Sequence, residues 1–262
     1  MQDRSLTRAL LPPVLFQTGQ RIWRRIHGLG AYDFEGPYPT LTDVPRPAGR
    51  YSDADLAAQA IERGVARFMR PQRPLDDHAG RAILPLVVSL IRPATVIDFG
   101  GDVCVGLSCI KAYCPPDVVD ALSYVLIETP VMCAALRGRI ASVTIAEDIP
   151  APDKVASPVV VNASSSLQYV NDWRKTLKRL ASLKPAVFIV SLTPFTDEST
   201  YALQQTNSPH QRLSCWVFNR AELVAAMAQL DYRQAFAVEH DLPVTHKGAP
   251  GPAVFGSIVF RS

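Results

Sequence analysis

Residues 96–106 read VIDFGGDVCVG. Val96, Ile97 and Phe99 make an apolar run of the kind a buried strand presents. Gly100-Gly101 interrupts it, and VGLSCIKAY at 105–113 follows as a helix. Strand, glycine turn and helix in that order form the ligand-binding corner of open α/β sheets. The question this corner raises is whether the turn holds a nucleotide-like cofactor, because Asp102 and Cys104 stand where such loops repeat glycine.

The chain around the corner answers in the same grammar. Beyond Pro93 seven strand candidates follow one another: ATVIDF, SYVLIE, SVTIAE, PVVVNAS, AVFIVSL, RQAFAVEH and AVFGSIVF. Between them lie the helical patterns VGLSCIKAY, VMCAALRGR, DWRKTLKRLASL and NRAELVAAMAQL. The first, fourth and fifth strands are nearly continuous apolar runs, as strands covered on both faces require, so the pattern predicts an α/β fold with a mostly parallel sheet. Only the short loop HDLPVTHKGAPGP joins the last two strands, which predicts an antiparallel pair at the sheet edge. Upstream, DADLAAQAIERGVARFM from Asp53 and the stretch Asp76–Ile91 predict two leading helices.

The first fifty residues differ. Residues 1–50 read as an arm and a proline-rich linker, and residues 51–262 as one α/β domain that includes the two leading helices. Within the arm, residues 17–27 predict a helix with Ile22, Trp23 and Ile26 flanked by Arg21, Arg24 and Arg25. Residues 1–27 therefore suit either peripheral contact with an anionic membrane surface or docking on the protein body or on a second subunit in a homo-oligomer.

Composition sets the boundaries. A chain of 262 residues with 48% hydrophobic residues buries a substantial core, and a net charge of +3 with no basic, aromatic-interleaved patch argues against nucleic acid. The five cysteines lack CxxC spacing and read as reduced, packed thiols, and no metal-binding constellation is visible. The apolar stretch 9–16 is broken by Pro12-Pro13, so no secretory leader is expected, and Ala82–Ile91 is too short to span a bilayer. The expected location is the cytoplasm, with the arm as the means of peripheral attachment to the inner face of the membrane.

The corner itself suggests chemistry. Asp98 ends the first strand of the sheet, Gly100-Gly101 turns, and Glu128 ends the next strand. Glycines let backbone N–H groups approach an adenosyl ligand, and a carboxylate closing the second strand accepts ribose hydroxyls. A dinucleotide fingerprint aligned on Gly100 loses two of its three glycines, to Asp102 and Val105, and Asp102 would face the pyrophosphate with like charge. S-adenosylmethionine carries an ammonium and a carboxylate in place of phosphate, so the acidic loop favours it over NAD.

The segments VIDFGG, IETP, SSSLQYVNDW and CWVFNRAEL, with LLPPV and FEGPYPT near the start, resemble a family of S-adenosylmethionine-dependent methyltransferases associated with bacterial surface-polysaccharide genes. The resemblance spans nearly the whole chain. It implies the Rossmann-like class I methyltransferase fold, a seven-stranded mostly parallel sheet with an antiparallel last strand. It also implies that Asp98, Gly100 and Gly101 hold the methionine end of the cofactor, Glu128 the ribose and Asp148 the adenine side. Asp102 and Ser164 complete the candidate cofactor set. Where the family continues with glycine, a left-handed Cys104 would cost ~1–2 kcal/mol, roughly a tenfold loss of affinity if incurred only on binding.

Methyl transfer is an in-line displacement, and the protein's task is to align the nucleophile and accept its proton. Residues after the fourth strand face the transferred group in this fold, which marks Ser164, Ser165, Ser166, Gln168 and Tyr169. The stretch Thr193–Ser214 reads as a long polar loop over the same end of the sheet. It makes His210 the candidate base, with Tyr169 as a second catalytic candidate and Gln168, Tyr169 and His210 as substrate contacts. Trp173 and Trp216 read as packing residues, and Asn219 as the N-cap of NRAELVAAM. The reading is a methyltransferase acting on a small molecule or glycan at oxygen. The alternative is a catalytically degenerate relative that serves as a binding or scaffold protein, and an NAD oxidoreductase stands third.

Overall fold

Alternating residues of the apolar strands serve two different layers, and this is what organises the molecule. In the computed structural model, which describes residues 33–45, 54, 57–58, 61–62, 79–140, 142–208 and 211–262, Ile97, Val161, Phe188 and Val190 face one way. They pack there on Trp173, Leu177 and Leu180 and on Leu223 and Met227. Val96, Leu126, Val160 and Ile189 face the opposite way, against Leu84, Val88, Leu107, Ile110 and Leu136. A strand period of two with helices on both faces produces continuous apolar runs.

Among the described residues the chain runs β1 (Asp33–Tyr38), a 3-10 turn (Ala79–Ala82), α1 (Ile83–Ile91), β2 (Thr95–Phe99), α2 (Val105–Tyr113), α3 (Pro116–Asp120), β3 (Ser123–Ile127), α4 (Pro130–Leu136) and β4 (Thr144–Ala146). It continues with β5 (Val159–Ser164), α5 (Trp173–Ala181), β6 (Val187–Thr196), β7 (Tyr201–Ser208), β8 (Gln211–Asn219), α6 (Arg220–Ala228), β9 (Arg233–Pro243) and β10 (Ala253–Arg261). Strands β4, β3, β2, β5 and β6 are parallel neighbours in that order. Strand β10 lies antiparallel between β6 and β9. These seven strands make the expected Rossmann-like, mostly parallel α/β sheet, with the predicted last pair formed and β9 outermost, and three further strands bring the sheet to ten rather than the expected seven.

Three stretches depart from the sequence reading. The helix expected over 76–91 is a 3-10 turn at Ala79–Ala82 followed by α1 from Ile83, with Pro85 in the first turn, where its missing N–H is tolerated. The stretch 193–214 is not a loop: β6 extends to Thr196, and β7 and β8 form an antiparallel hairpin. Polarity concealed those strands because their buried amides find partners. Gln204 donates to Pro45 O at 2.6 Å, and Gln205 donates to Asn207 Oδ1 at 2.6 Å. Residues 33–38, read as part of a linker, form β1 and add a third strand to the hairpin.

The hairpin sits where β6 outruns its neighbour. Ser191 is the last β6 residue opposite β5, and beyond it Phe195 and Thr196 pair with Phe218 and Asn219 of β8. The three added strands therefore stand at the carboxyl end of the parallel sheet, over their own core of Phe34, Leu203, Cys215, Val217 and Phe255. As predicted, Trp173 and Trp216 are packed, and the Asn219 side chain caps α6 by accepting the Glu222 N–H at 2.7 Å. All five cysteines are free and buried. No helix among the described residues is long and apolar enough to cross a membrane. The arm, its helix at 17–27, most of the first leading helix and His210 lie outside the described residues.

Candidate active site

The glycine turn is built over a buried carboxylate. Asp98, the fourth residue of β2, is 1% exposed; the Tyr124 hydroxyl and Asn162 Nδ2 (2.7 Å) donate to it. Burial raises its pKa against the opposing pull of these two hydrogen bonds. A Cβ at Gly101 would run into the Asp98 carboxylate, and one at Gly106 would stand 2.7 Å from the Tyr124 hydroxyl, so both ends of the turn press onto this cluster. Sequence reasoning missed Tyr124 and Asn162. Their signal was available, since each is a polar residue interrupting an apolar strand beside Asp98.

Above the cluster the backbone keeps the shape that glycines usually provide. Gly100, Asp102 and Cys104 all have positive φ, at 65°, 56° and 59°. Two non-glycine residues in this region cost ~1–2 kcal/mol each, and such strain persists where the surrounding structure fixes it. The two differ in what glycine would change. Asp102 is exposed, so Asp102→Gly should raise stability by about 0.5–1 kcal/mol after glycine's own entropic cost. Cys104 is fully buried, so in Cys104→Gly the lost side-chain burial, ~1 kcal/mol, offsets the relief and the net change should be near zero. Urea midpoints of the two variants test this; equal gains would show that the cysteine side chain contributes no packing.

Glu128 follows β3 and closes onto the turn. Its Oε1 accepts the Asp102 N–H at 2.8 Å and its Oε2 the Thr129 N–H at 3.0 Å. Burial pushes its pKa up to about 7; the two backbone hydrogen bonds oppose the shift, and the neighbouring Asp102 and Asp98 charges add to it. The Glu128 N–H donates to Ala146 O at 3.0 Å, which ties the end of β4 to this residue. Asp148, two residues further on, is exposed and accepts from Arg179 at 2.8 Å, a contact that lowers its pKa.

The end of β5 meets the turn from the other side. A Cβ on Gly100 would lie 2.5 Å from Ser166 Cβ, so the absence of a side chain there permits the contact. Ser165 is left-handed at φ 52°, and its N–H donates to Ser191 O at 2.8 Å. Ser164 is partly buried at the strand end. Gln168 Nε2 donates to Ser165 Oγ at 3.2 Å and to Leu192 O at 3.4 Å. A carbonyl can only accept, so the amide orientation is fixed and Oε1 is an acceptor. That Oε1 and Ser166 Oγ are both buried with no partner among the described residues. Buried orphans of this kind call for a ligand or a bound water. The Tyr169 hydroxyl donates to Gln205 Oε1 at 3.1 Å, toward the added sheet.

The structure thus brings together Asp98, Gly100, Gly101, Asp102 and Glu128 and sets Ser166 against them, with Ser164 and Gln168 close to Ser166 in the chain. Asp148 is exposed, in its pair with Arg179. A surface cavity of about 320 Å³ lined by Trp173, Thr200, Trp216 and Glu222 shares no residue with the turn.

No protein family model and no curated protein matches the chain. Among solved structures, the Burkholderia thailandensis 1,6-didemethyltoxoflavin-N1-methyltransferase is 14% identical with a TM-score of 0.44, over 83% of this chain and 92% of that one. The N-terminal domain of EvdMO1 is 12% identical at a TM-score of 0.48, over 77% and 96%. The CcbJ methyltransferase from Streptomyces caelestis is 13% identical at 0.41, over 73% and 93%. At these values it is the strand order that defines the fold.

Proposed function

We propose that the protein is an S-adenosylmethionine-dependent methyltransferase whose acceptor is a small molecule or a glycan, methylated at oxygen. The observation that carries this reading is the turn at 100–104, which keeps three left-handed residues, two of them strained, directly over Glu128. Strain of this kind clusters at ligand-binding sites, which supports the reading. The residues fit the group. Each Glu128 oxygen accepts one N–H and keeps a lone pair for a ribose hydroxyl. Gly100 lets the orphaned Ser166 hydroxyl approach the turn, and Gly101 follows over Asp98.

When bound, S-adenosylmethionine supplies the activated methyl group. Asp98 acts from below as the anchor of the turn, Asp102 offers a carboxylate to the ligand's ammonium, and Ser164 lines the β5 side. The adenine side falls to the β4 end near Asp148. Gln168 and Tyr169 are proposed to orient the acceptor, with His210 as a further substrate contact. Asp102 and Cys104, which stand in the turn where glycine is usual, favour the second reading, a catalytically degenerate binding or scaffold protein. Calorimetric titration separates the readings. Binding of S-adenosylhomocysteine with no heat from NADH is expected; silence with S-adenosylhomocysteine at millimolar concentration would remove the methyltransferase reading. Residues 51–262 form the proposed catalytic domain, placed in the cytoplasm. Residues 1–27 are proposed to contact the inner membrane surface or a second subunit.

A further inference from the structure

One histidine at the carboxyl edge of the sheet has no part in the site above. His240, in the second half of β9, is partly exposed, and its Nε2 lies 2.7 Å from Ser257 Oγ on β10. Ser257 is buried, and its Oγ also accepts the Leu192 N–H at 3.3 Å. Leu192 is left-handed, at φ 50°, where the β6–β10 register shifts between Gly256 and Ile258. A bulky residue in that conformation is an outlier, held only where its surroundings fix it. Here side chains hold both its polar groups, Ser257 on the N–H and Gln168 on the carbonyl. The bulge therefore connects His240 to the residue that carries the orphaned acceptor at the end of β5.

A second contact leads from His240 to the glycine turn. A Cβ on Gly80 would stand 2.8 Å from His240 Nε2 and 2.9 Å from Leu192 Cδ2. Four residues on, Leu84 reaches α2, where a Cβ on Gly106 would lie 2.9 Å from both Leu84 Cδ2 and Asp98 Oδ2. Gly80 and Leu84, about one helical turn apart, thus adjoin His240 at one end and the residues beneath the glycine turn at the other.

Resting on the methyltransferase reading, we propose that His240 accepts the proton of the methyl acceptor, and that the acceptor is accordingly a neutral hydroxyl compound. A nucleophile that arrives ionised needs no base, whereas a hydroxyl keeps its proton at neutral pH. The acceptor oxygen forms the bond to the methyl carbon, the carbon–sulfur electron pair leaves with sulfur to give S-adenosylhomocysteine, and the hydroxyl proton passes to the imidazole and then to water. In the tautomer that donates Nε2–H to Ser257, Nδ1 keeps the lone pair this step requires. Burial lowers the pKa of His240, which favours the neutral ring. Of the charges flanking it in sequence, Glu239 is committed to Arg220 at 2.5 Å and Asp241 follows directly, while Arg81 follows Gly80 in the packed turn.

The test compares two ligands that differ at the transferred group. In sinefungin a carbon bearing an ammonium replaces the sulfur–methyl centre, and S-adenosylhomocysteine has only sulfur there. Histidine resonances of the full chain, five in all, are titrated by NMR in each complex, with His240 identified by the signal lost in His240→Gln and, independently, in His240→Asn. A cation within a few ångströms disfavours the imidazolium, so His240 should bind its proton at least about threefold more weakly in the sinefungin complex. Both variants should bind S-adenosylhomocysteine within about twofold of the unaltered protein. Equal titration of His240 in the two complexes overturns its role while leaving the cofactor reading intact. Failure of both ligands to bind overturns the cofactor reading and the proposal with it.

Discussion

On the proposed reading, Glu128→Ala should weaken S-adenosylhomocysteine binding by about 1.5–3 kcal/mol, roughly ten- to 150-fold, through loss of two charge-assisted hydrogen bonds to the ribose. The same substitution frees the Asp102 and Thr129 N–H groups, so the turn loosens and part of the loss is in preorganisation. The pH dependence follows from the raised pKa. Ribose hydroxyls donate to the ionised carboxylate, so affinity should rise with pH through about 7. Folding stability should run the other way. A carboxyl whose pKa climbs from 4.5 to about 7 on folding contributes most below pH 4.5 and loses that contribution as pH rises through 7. Calorimetry at pH 6 and pH 8 measures the first effect. An unchanged dissociation constant in Glu128→Ala would exclude the carboxylate from the site, and a pH slope that survives in Glu128→Gln would assign the titration to another group.

Asp98→Ala should cost about 3 kcal/mol of folding stability. The substitution strands the Tyr124 hydroxyl and Asn162 amide in a fully buried setting, and each unsatisfied donor costs about 1–3 kcal/mol, offset in part by removing a buried carboxyl. Against a typical stability of about 5–15 kcal/mol this is a large fraction. The urea midpoint should fall with little change in slope, and cofactor affinity should fall with it, since Gly101 and Gly106 both rest on this carboxyl. A midpoint shift below about 0.5 kcal/mol would mean that the turn is held by the β2–α2 backbone alone.

The parallel sheet was legible because its strands are short apolar runs separated by helical patterns, and burial on both faces leaves that mark directly in the residue order. Asp98, the glycine turn and Glu128 were legible for a related reason. A polar residue at the end of an apolar strand is placed by the strand itself, at the edge where ligands bind. By contrast, YALQQTNS and QRLSCWVFN carry buried polar residues whose partners lie within the strands or at Pro45, so periodicity could not mark them as strands. His240 was hidden similarly, inside the strand segment RQAFAVEH, with no local sign that Ser257 and Gly80 would converge on it.

What the sequence by itself determined, then, is the order of elements and the carboxylates that the strands carry to one edge, since both depend on interactions within a few residues of chain. Tertiary structure alone decided the rest. It set Ser166 against Gly100, turned Asp98 inward to Tyr124 and Asn162, and stood β1, β7 and β8 at the carboxyl end of the sheet. It also gave Asp102 and Cys104 the left-handed backbone that their side chains disfavour. Each of these depends on partners tens of residues away, where packing and hydrogen bonds outweigh a local preference of ~1–2 kcal/mol.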